Sequence, residues 1–382
     1  MSEHDVVHEA VERLEWSERN DDPTPLSRWR EMTRRGALTG GAVGLTAFLL
    51  EACGGGSNKS SSSAQSGTPA TGVFGEQKPF KFTFVNHVTT NPFFVPTIYG
   101  AQDACSLLGC SYQWTGSTTS DISQMVNAFN SAISAKASGI SCCLVDLKAF
   151  NGPTAAAEAK GIPVLAYNAD VPPGNPNKRL AYIGQDLYAS GYAMGQRIVN
   201  LVGSGDVALF IATPGQLNIQ PRIDGAVAAI KKFGAGKIKT TSIATGALLP
   251  DEVAKVEAYY LGHKDLKGMF AVDAGSTQAV GQTVAKYGLK KKGVKAGGYD
   301  LTPTTLKLIA ANQLDFTIDQ QPYLQGWLPI LQLFFYRYSS GLVAPSDTNT
   351  GILFVTKANV KPYLSTTTRY EGSSKAQKYP VS

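Results

Sequence analysis

Short β-prone runs that alternate with segments of helical periodicity constrain this chain more than any other feature. The runs are 81–87 (KFTFVNH), 140–147 (ISCCLVDL), 162–168 (IPVLAYN), 206–213 (DVALFIAT), 237–244 (KIKTTSIA), 268–273 (GMFAVD), 294–300 (VKAGGYD) and 314–320 (LDFTIDQ). Several are near-continuously apolar, as strands buried on both faces of a parallel sheet must be. Between them, Asn91-Pro92 supplies an N-cap and a proline at the first helical position, and Gly109 follows the end. Phe94, Ile98, Ala101, Cys105 and Leu108 recur there at steps of three or four, one buried stripe. Ser120 is the expected cap of a second helix carrying Ile122, Met125, Phe129 and Ile133 and stopped at Gly139. Strand–helix alternation implies right-handed βαβ units and parallel sheets. So many units exceed one doubly wound sheet. Two α/β domains are expected, and 382 residues suit two at roughly 150 each. Hydrophobic content of 43% excludes a disordered polymer, and a net charge of +6 is too mild to point to nucleic acid.

The first 80 residues carry an address. Residues 1–32 are polar and acidic; then Thr33-Arg34-Arg35 leads into an uncharged run from Gly36 to Leu50. A basic pair, a short apolar stretch and a small residue before the cut are the plan of an export signal, and the twin arginine points to the Tat route. The run has 15 residues, four of them glycine, and a membrane span needs about 20 apolar residues. Leu50-Glu51-Ala52-Cys53 resembles a bacterial lipobox, with Cys53 as the lipidated residue and Glu51 in place of the usual small one. Residues 1–52 are therefore expected to be a signal, and 53–78, rich in Gly, Ser and Thr, a flexible tether. The expected location is extracytoplasmic, anchored to the cell membrane through lipid. Removal of residues 1–52, which hold six Arg and ten Asp or Glu, raises the net charge to +10. A basic lipoprotein is drawn to an anionic lipid surface.

Ligands of open α/β sheets bind beyond the carboxyl ends of the strands. Those ends carry Asn91, Asp146, Asn168, Asp170, Asp273, Asp300 and Gln320, flanked by Phe93, Phe94, Tyr167, Tyr299 and Tyr323, while Arg222 opens a helix. Amides and carboxylates beside flat aromatic faces suit a polyhydroxylated ligand. Singly, each is more often a turn former or helix cap; the recurrence at successive strand ends makes the set a site.

Asn91-Pro92-Phe93-Phe94, Arg222-Ile-Asp-Gly225, Gly298-Tyr299-Asp300-Leu-Thr-Pro303 and Thr317-Ile-Asp-Gln320-Gln-Pro322 stand in the order and spacing of the ribose-binding-like periplasmic proteins. From about residue 80 to 360 the chain resembles these type I solute-binding receptors of sugar ABC transporters. The resemblance implies two Rossmann-like lobes with parallel sheets and a three-segment hinge: 79–184 plus 322–345, and 185–321 plus 346–382. It implies a sugar in the cleft, sandwiched by Phe93 and Phe94 and bonded by Asn91, Arg222, Asp300 and Gln320. Three positions depart from the family pattern. Asn168-Ala169 replaces an Asp-Arg pair, Asp273 replaces an Asn, and His87 stands where a small hydroxyl residue is common. Losing a cation and gaining an anion argues against acidic sugars and leaves neutral sugars or polyols. The ligand set is then His87, Asn91, Phe93, Phe94, Asn168, Arg222, Asp273, Asp300 and Gln320. An ABC permease is the implied partner, and a monomer is expected.

No phosphate loop, GxGxxG after the first strand, HExxH, CxxC or GxSxG motif occurs. Cys105, Cys110, Cys142 and Cys143 share no metal spacing and read as small core residues. No cofactor, metal or catalytic residue is expected. Two other readings remain: an exported carbohydrate-processing enzyme using Asp273 with Asp300, and a sugar receptor reporting to a chemotaxis or sensor system. A DNA-binding repressor would need a helix-turn-helix where the signal and tether stand.

Overall fold

The computed structural model describes residues 71–76, 78–365, 368–372 and 374–375. The expected signal, Cys53 and most of the tether lie outside the described residues. A hairpin of β1 (Thr71–Gly72) and β2 (Gly75–Glu76) opens the described chain, which corrects the expectation of a slack tether as far as residue 78. Its Phe74 ring packs 5.4–5.8 Å from Phe334, Phe335 and Tyr338. One aromatic in an otherwise polar stretch is enough to pin it.

The first lobe follows as β3 (Lys81–Asn86), a 3-10 turn at Pro92–Phe94, α1 (Val95–Leu108), β4 (Ser111–Gly116), α2 (Ile122–Ser134), β5 (Gly139–Cys142), α3 (Asn151–Ala159), β6 (Val164–Tyr167) and β7 (Ala181–Gly184). The second comprises α4 (Leu187–Val202), β8 (Gly205–Ile211), α5 (Gln220–Phe233), β9 (Ile238–Ala244), α6 (Leu249–Gly262), β10 (Gly268–Ala271), α7 (Ala274–Lys286), β11 (Lys295–Tyr299), α8 (Pro303–Ala310) and β12 (Phe316–Asp319). The chain then returns through α9 (Leu324–Tyr338) and β13 (Thr348–Asn349) and ends with β14 (Leu353–Val355) and α10 (Lys361–Ser365). The sheet orders are β4-β3-β5-β6-β7-β13 and β9-β8-β10-β11-β12-β14. Both are doubly wound, with a switch point beside the first strand of each lobe. Only β14 runs antiparallel within them.

Burial explains which strands were legible. Every position of β5, β6, β10 and β12 is buried, so each reads as a continuous apolar run. The edge strand β4 (SYQWTG) has no buried residue and carried no such signal. Ser120 does not cap α2. It sits at φ +64°, and Asp121 takes the role by accepting from Gln124 N at 3.0 Å. α2 ends at Ser134, and Gly139 already begins β5.

The lobes connect between β7 and α4, between β12 and α9, and between β13 and β14. Because Thr348–Asn349 pairs with Ile183–Gly184 of the first sheet, the third crossing falls after residue 349, not at 345–346. Residues 368–372, expected in the second lobe, lie on the first. The Arg369 guanidinium pairs with Asp103 of α1 at 2.7 Å and covers the Tyr99 ring at 4.3 Å.

Candidate functional site

Loops at the carboxyl ends of the two sheets meet. Ser120 Oγ donates to Gln216 Oε1 at 2.8 Å, and Leu217 N donates to Val145 O at 2.9 Å. Beside them Asn218 Nδ2 donates to His87 Nε2 at 3.1 Å. The ring proton of His87 therefore sits on Nδ1. Neither that nitrogen nor Asn218 Oδ1 has a protein partner among the described residues. Burial pushes the His87 pKa down to about 4, so the ring is neutral near pH 7.

One turn beyond Asn218, Arg222 is buried in the first turn of α5. Its Nη1 donates to Val272 O at 2.8 Å and its Nη2 to Gln185 Oε1 at 3.2 Å, and the guanidinium lies 4.1 Å from the Tyr299 ring centre. Its Nε meets no protein partner among the described residues. The tight α4–α5 crossing sets this position: a Cβ on Gly191 would come within 2.1 Å of Arg222 O.

Asp300 ends β11 at φ +77°, and Asn168 ends β6 at φ +62°. Asn and Asp are the non-glycine residues that tolerate this left-handed region best. Gln320 Nε2 donates to Asp300 Oδ1 at 2.7 Å. Gln320 Oε1 in turn accepts from Gln325 Nε2 at 3.2 Å, and Asn168 Nδ2 donates to Gln325 Oε1 at 3.1 Å. Asp300 is raised to about 7 by burial, tempered by the nearby Arg222 cation and the Gln320 bond. Asn168, Gln320 and Asp300 are thus joined through Gln325 in one buried chain, with the Arg222 cation near enough to act on Asp300, while the His87 ring is bonded to Asn218.

Other expected residues sit differently. Asn91 Oδ1 caps the 3-10 turn by accepting from Phe93 N at 3.0 Å. Phe93 and Phe94 touch edge to face, 4.7 Å apart and 76° between planes, so they do not face each other across a gap as the expected sandwich requires. Phe94 is buried against His87 and Trp114, whereas Phe93 lines a cavity of about 350 Å³ shared with Thr302, Asp319, Gln321, Tyr363 and Tyr370. Gln320 faces the polar chain while its neighbours Asp319 and Gln321 face this cavity, the alternation of extended backbone.

Both Asp273 oxygens are engaged: Oδ1 by Ser276 N at 2.8 Å as the α7 cap, and Oδ2 by Ala212 N at 3.0 Å. Glu252, buried beside it, is driven well above the usual carboxylate range by desolvation and by Asp273. Asp273 therefore bridges the ends of β8 and β10. Asp146 accepts from Lys148 N and Ala149 N, Asp170 pairs with Arg179, and Tyr323 donates to Asp103. These three strand-end candidates serve the scaffold. Asn218, Gln185 and Gln325 were missed. Gln185 follows an unrecognised strand, and Gln325 lies within a helix with no motif of its own. Asn218 precedes a helix rather than ending a strand. Among the described residues no group of three His, Cys, Asp or Glu could hold a metal ion.

Residues 82–336 match the sequence profile of the periplasmic binding protein domain. The chain is 52% identical over 336 residues to the xylose/arabinose-binding protein XylF of Sulfolobus acidocaldarius, covering 84% of this chain and 82% of that protein. A solute-binding protein of an ABC transporter from Burkholderia graminis, solved with D-arabinose, superposes with a TM-score of 0.69 at 28% identity, covering 75% of this chain and 98% of that one. The glucose-galactose binding protein GanP of Geobacillus stearothermophilus superposes at 0.67 with 21% identity, over 74% and 99%, a likeness of fold.

Proposed function

Because the chain belongs to the periplasmic binding protein family, a family of binding proteins and not enzymes, we propose that it is an extracytoplasmic receptor for a neutral pentose. The observation that carries this reading is a set of buried polar groups contributed by both lobes and the hinge. Arg222 and Asp300 come from one lobe, His87 and Asn168 from the other, and Gln320 from the hinge between them. A ligand bonded to this set touches both lobes only when they are closed, so it stabilises the closed state by its differential contacts. A guanidinium, a carboxyl and several amides match hydroxyls that both donate and accept. The 52% identical relative is named for xylose and arabinose, which supports a five-carbon sugar. Phe94 packs on the His87 ring at the edge of this set, and Asp273 shapes the switch point.

Anchoring through lipid at Cys53 and delivery to an ABC permease complete the proposal, resting on the amino-terminal sequence and on the family. Titration calorimetry with D-xylose and L-arabinose, beside ribose and glucuronate, tests it. Heat with a pentose, none with glucuronate, and recovery of unaltered sugar are expected. Absence of heat with every pentose overturns the reading.

A further inference from the structure

The amino ends of the strands form the base of the first lobe, opposite the cleft. There the described chain begins, with the β1–β2 hairpin clamped against α1 and α9 by Phe74 and by a bond from Val73 N to Leu107 O at 3.2 Å. Six of the sixteen large apolar side chains exposed among the described residues gather here: Val73, Phe74, Leu107, Tyr338, Leu342 and Val343. Leu342 is 90% exposed at the tip of the turn after α9. Around them stand five exposed cations, Lys78, Lys81, Lys136, Lys160 and Arg337. None makes an ion pair among the described residues. Of the described acids of these segments, Asp103 pairs with Arg369, Asp347 accepts from Tyr182 N at 2.8 Å, and Glu158 is exposed. A shallow groove of about 610 Å³ runs between Lys78, Phe80, Tyr336, Arg337 and Tyr338.

We propose that this base is a docking surface for an anionic lipid bilayer, its apolar tip entering the interface while the five cations meet lipid headgroups. The arrangement is that of an interfacial anchor, apolar side chains ringed by Lys and Arg. The occupant follows from where the chain outside the structure attaches. Thr71 is eighteen residues from Cys53, a chain length that reaches at most about 65 Å. An anchor at Cys53 therefore joins the described chain at this end, where the exposed cations complement an anionic surface. The inference rests on the anchored reading above.

Full-length protein is reconstituted with vesicles of phosphatidylcholine, with or without phosphatidylglycerol, and hydrogen exchange is followed at 336–343. Exchange is expected to slow about tenfold on the anionic vesicles alone and to recover in high salt. Leu342→Ser with Val343→Ser, or Lys78→Gln with Arg337→Gln, should abolish the slowing while pentose affinity stays unchanged. Flotation with both vesicle types and equal exchange on each overturns the docking surface and leaves the anchor standing. Flotation with neither overturns both. Slowing that grows with protein concentration in the absence of vesicles assigns the surface to a second copy and overturns the lipid assignment. Loss of pentose heat in the unaltered protein concerns the ligand alone and leaves these outcomes intact.

Discussion

His87 of the first lobe and Asn218 of the second meet Nε2 to Nδ2 at 3.1 Å, a neutral hydrogen bond between the lobes. Asn218→Ala is expected to weaken pentose affinity about three- to tenfold, the worth of one such bond. His87→Ala should cost less in that background than alone, because both changes remove one contact. Calorimetry on the four proteins decides; strictly additive losses remove this pair from the closing step.

Asp300 anchors the polar chain through Gln320, and the Arg222 cation tempers the rise of its pKa. Hydrogen bonds to charged partners contribute about 1.5–3 kcal/mol, so Asp300→Ala should weaken pentose binding roughly 10- to 150-fold. Asp300→Asn keeps the side-chain shape and tolerance of the left-handed backbone, and should lose less. Unchanged affinity in the alanine variant excludes Asp300 from the site.

Buried carboxyls and the buried histidine give opposite pH slopes. Asp300 and Asp319 are raised to about 7 and about 6, both chiefly by burial. The stability this lends is full below the unfolded carboxyl value of about 4 and is lost as pH rises through the folded values. His87, lowered to about 4, contributes stability above about 6.5 that is lost as pH falls toward 4. Two carboxyls outweigh one ring, and Glu252 adds in their direction. The melting temperature should therefore fall between pH 5 and pH 8, and Asp319→Asn should flatten that fall. A melting temperature that rises steadily over this range contradicts the assignment.

Arg369 joins the carboxyl-terminal segment to α1 through a pair whose side chains are each only 11% exposed. Removing one partner of so shielded a pair costs on the order of 3 kcal/mol. Arg369→Ala should lower stability by that amount and open 368–375 to proteolysis. An Asp103→Ala, Arg369→Ala double variant should be little worse than either single one. Equal protease resistance of variant and parent would show that the segment is held by its other contacts.

Much of the candidate site was legible because its residues follow apolar runs: Asn168, Asp300 and Gln320 each stand just past a buried strand. Arg222 was found from the turn that opens its helix. The aromatic pair was legible as a motif, but its geometry was not, since ring orientation depends on Trp114 and His87 packed from elsewhere. Asp273 has a scaffold role that the sequence alone did not reveal. A carboxylate after a strand serves a ligand or a helix cap equally well in sequence, and Ala212, sixty-one residues away, supplies the donor that decides.

The sequence by itself determined the strand–helix alternation, the two-lobe architecture and the buried runs, because burial on both faces of a parallel sheet writes itself locally as apolar continuity. It also placed the family motifs. Tertiary structure alone decided where the third crossing falls, that residues 368–372 return to the first lobe, that Asn218 completes His87, and that six apolar side chains and five cations share one end. Those are meetings of segments far apart in the chain. No local pattern encodes them, because what joins them is a distance in the folded molecule.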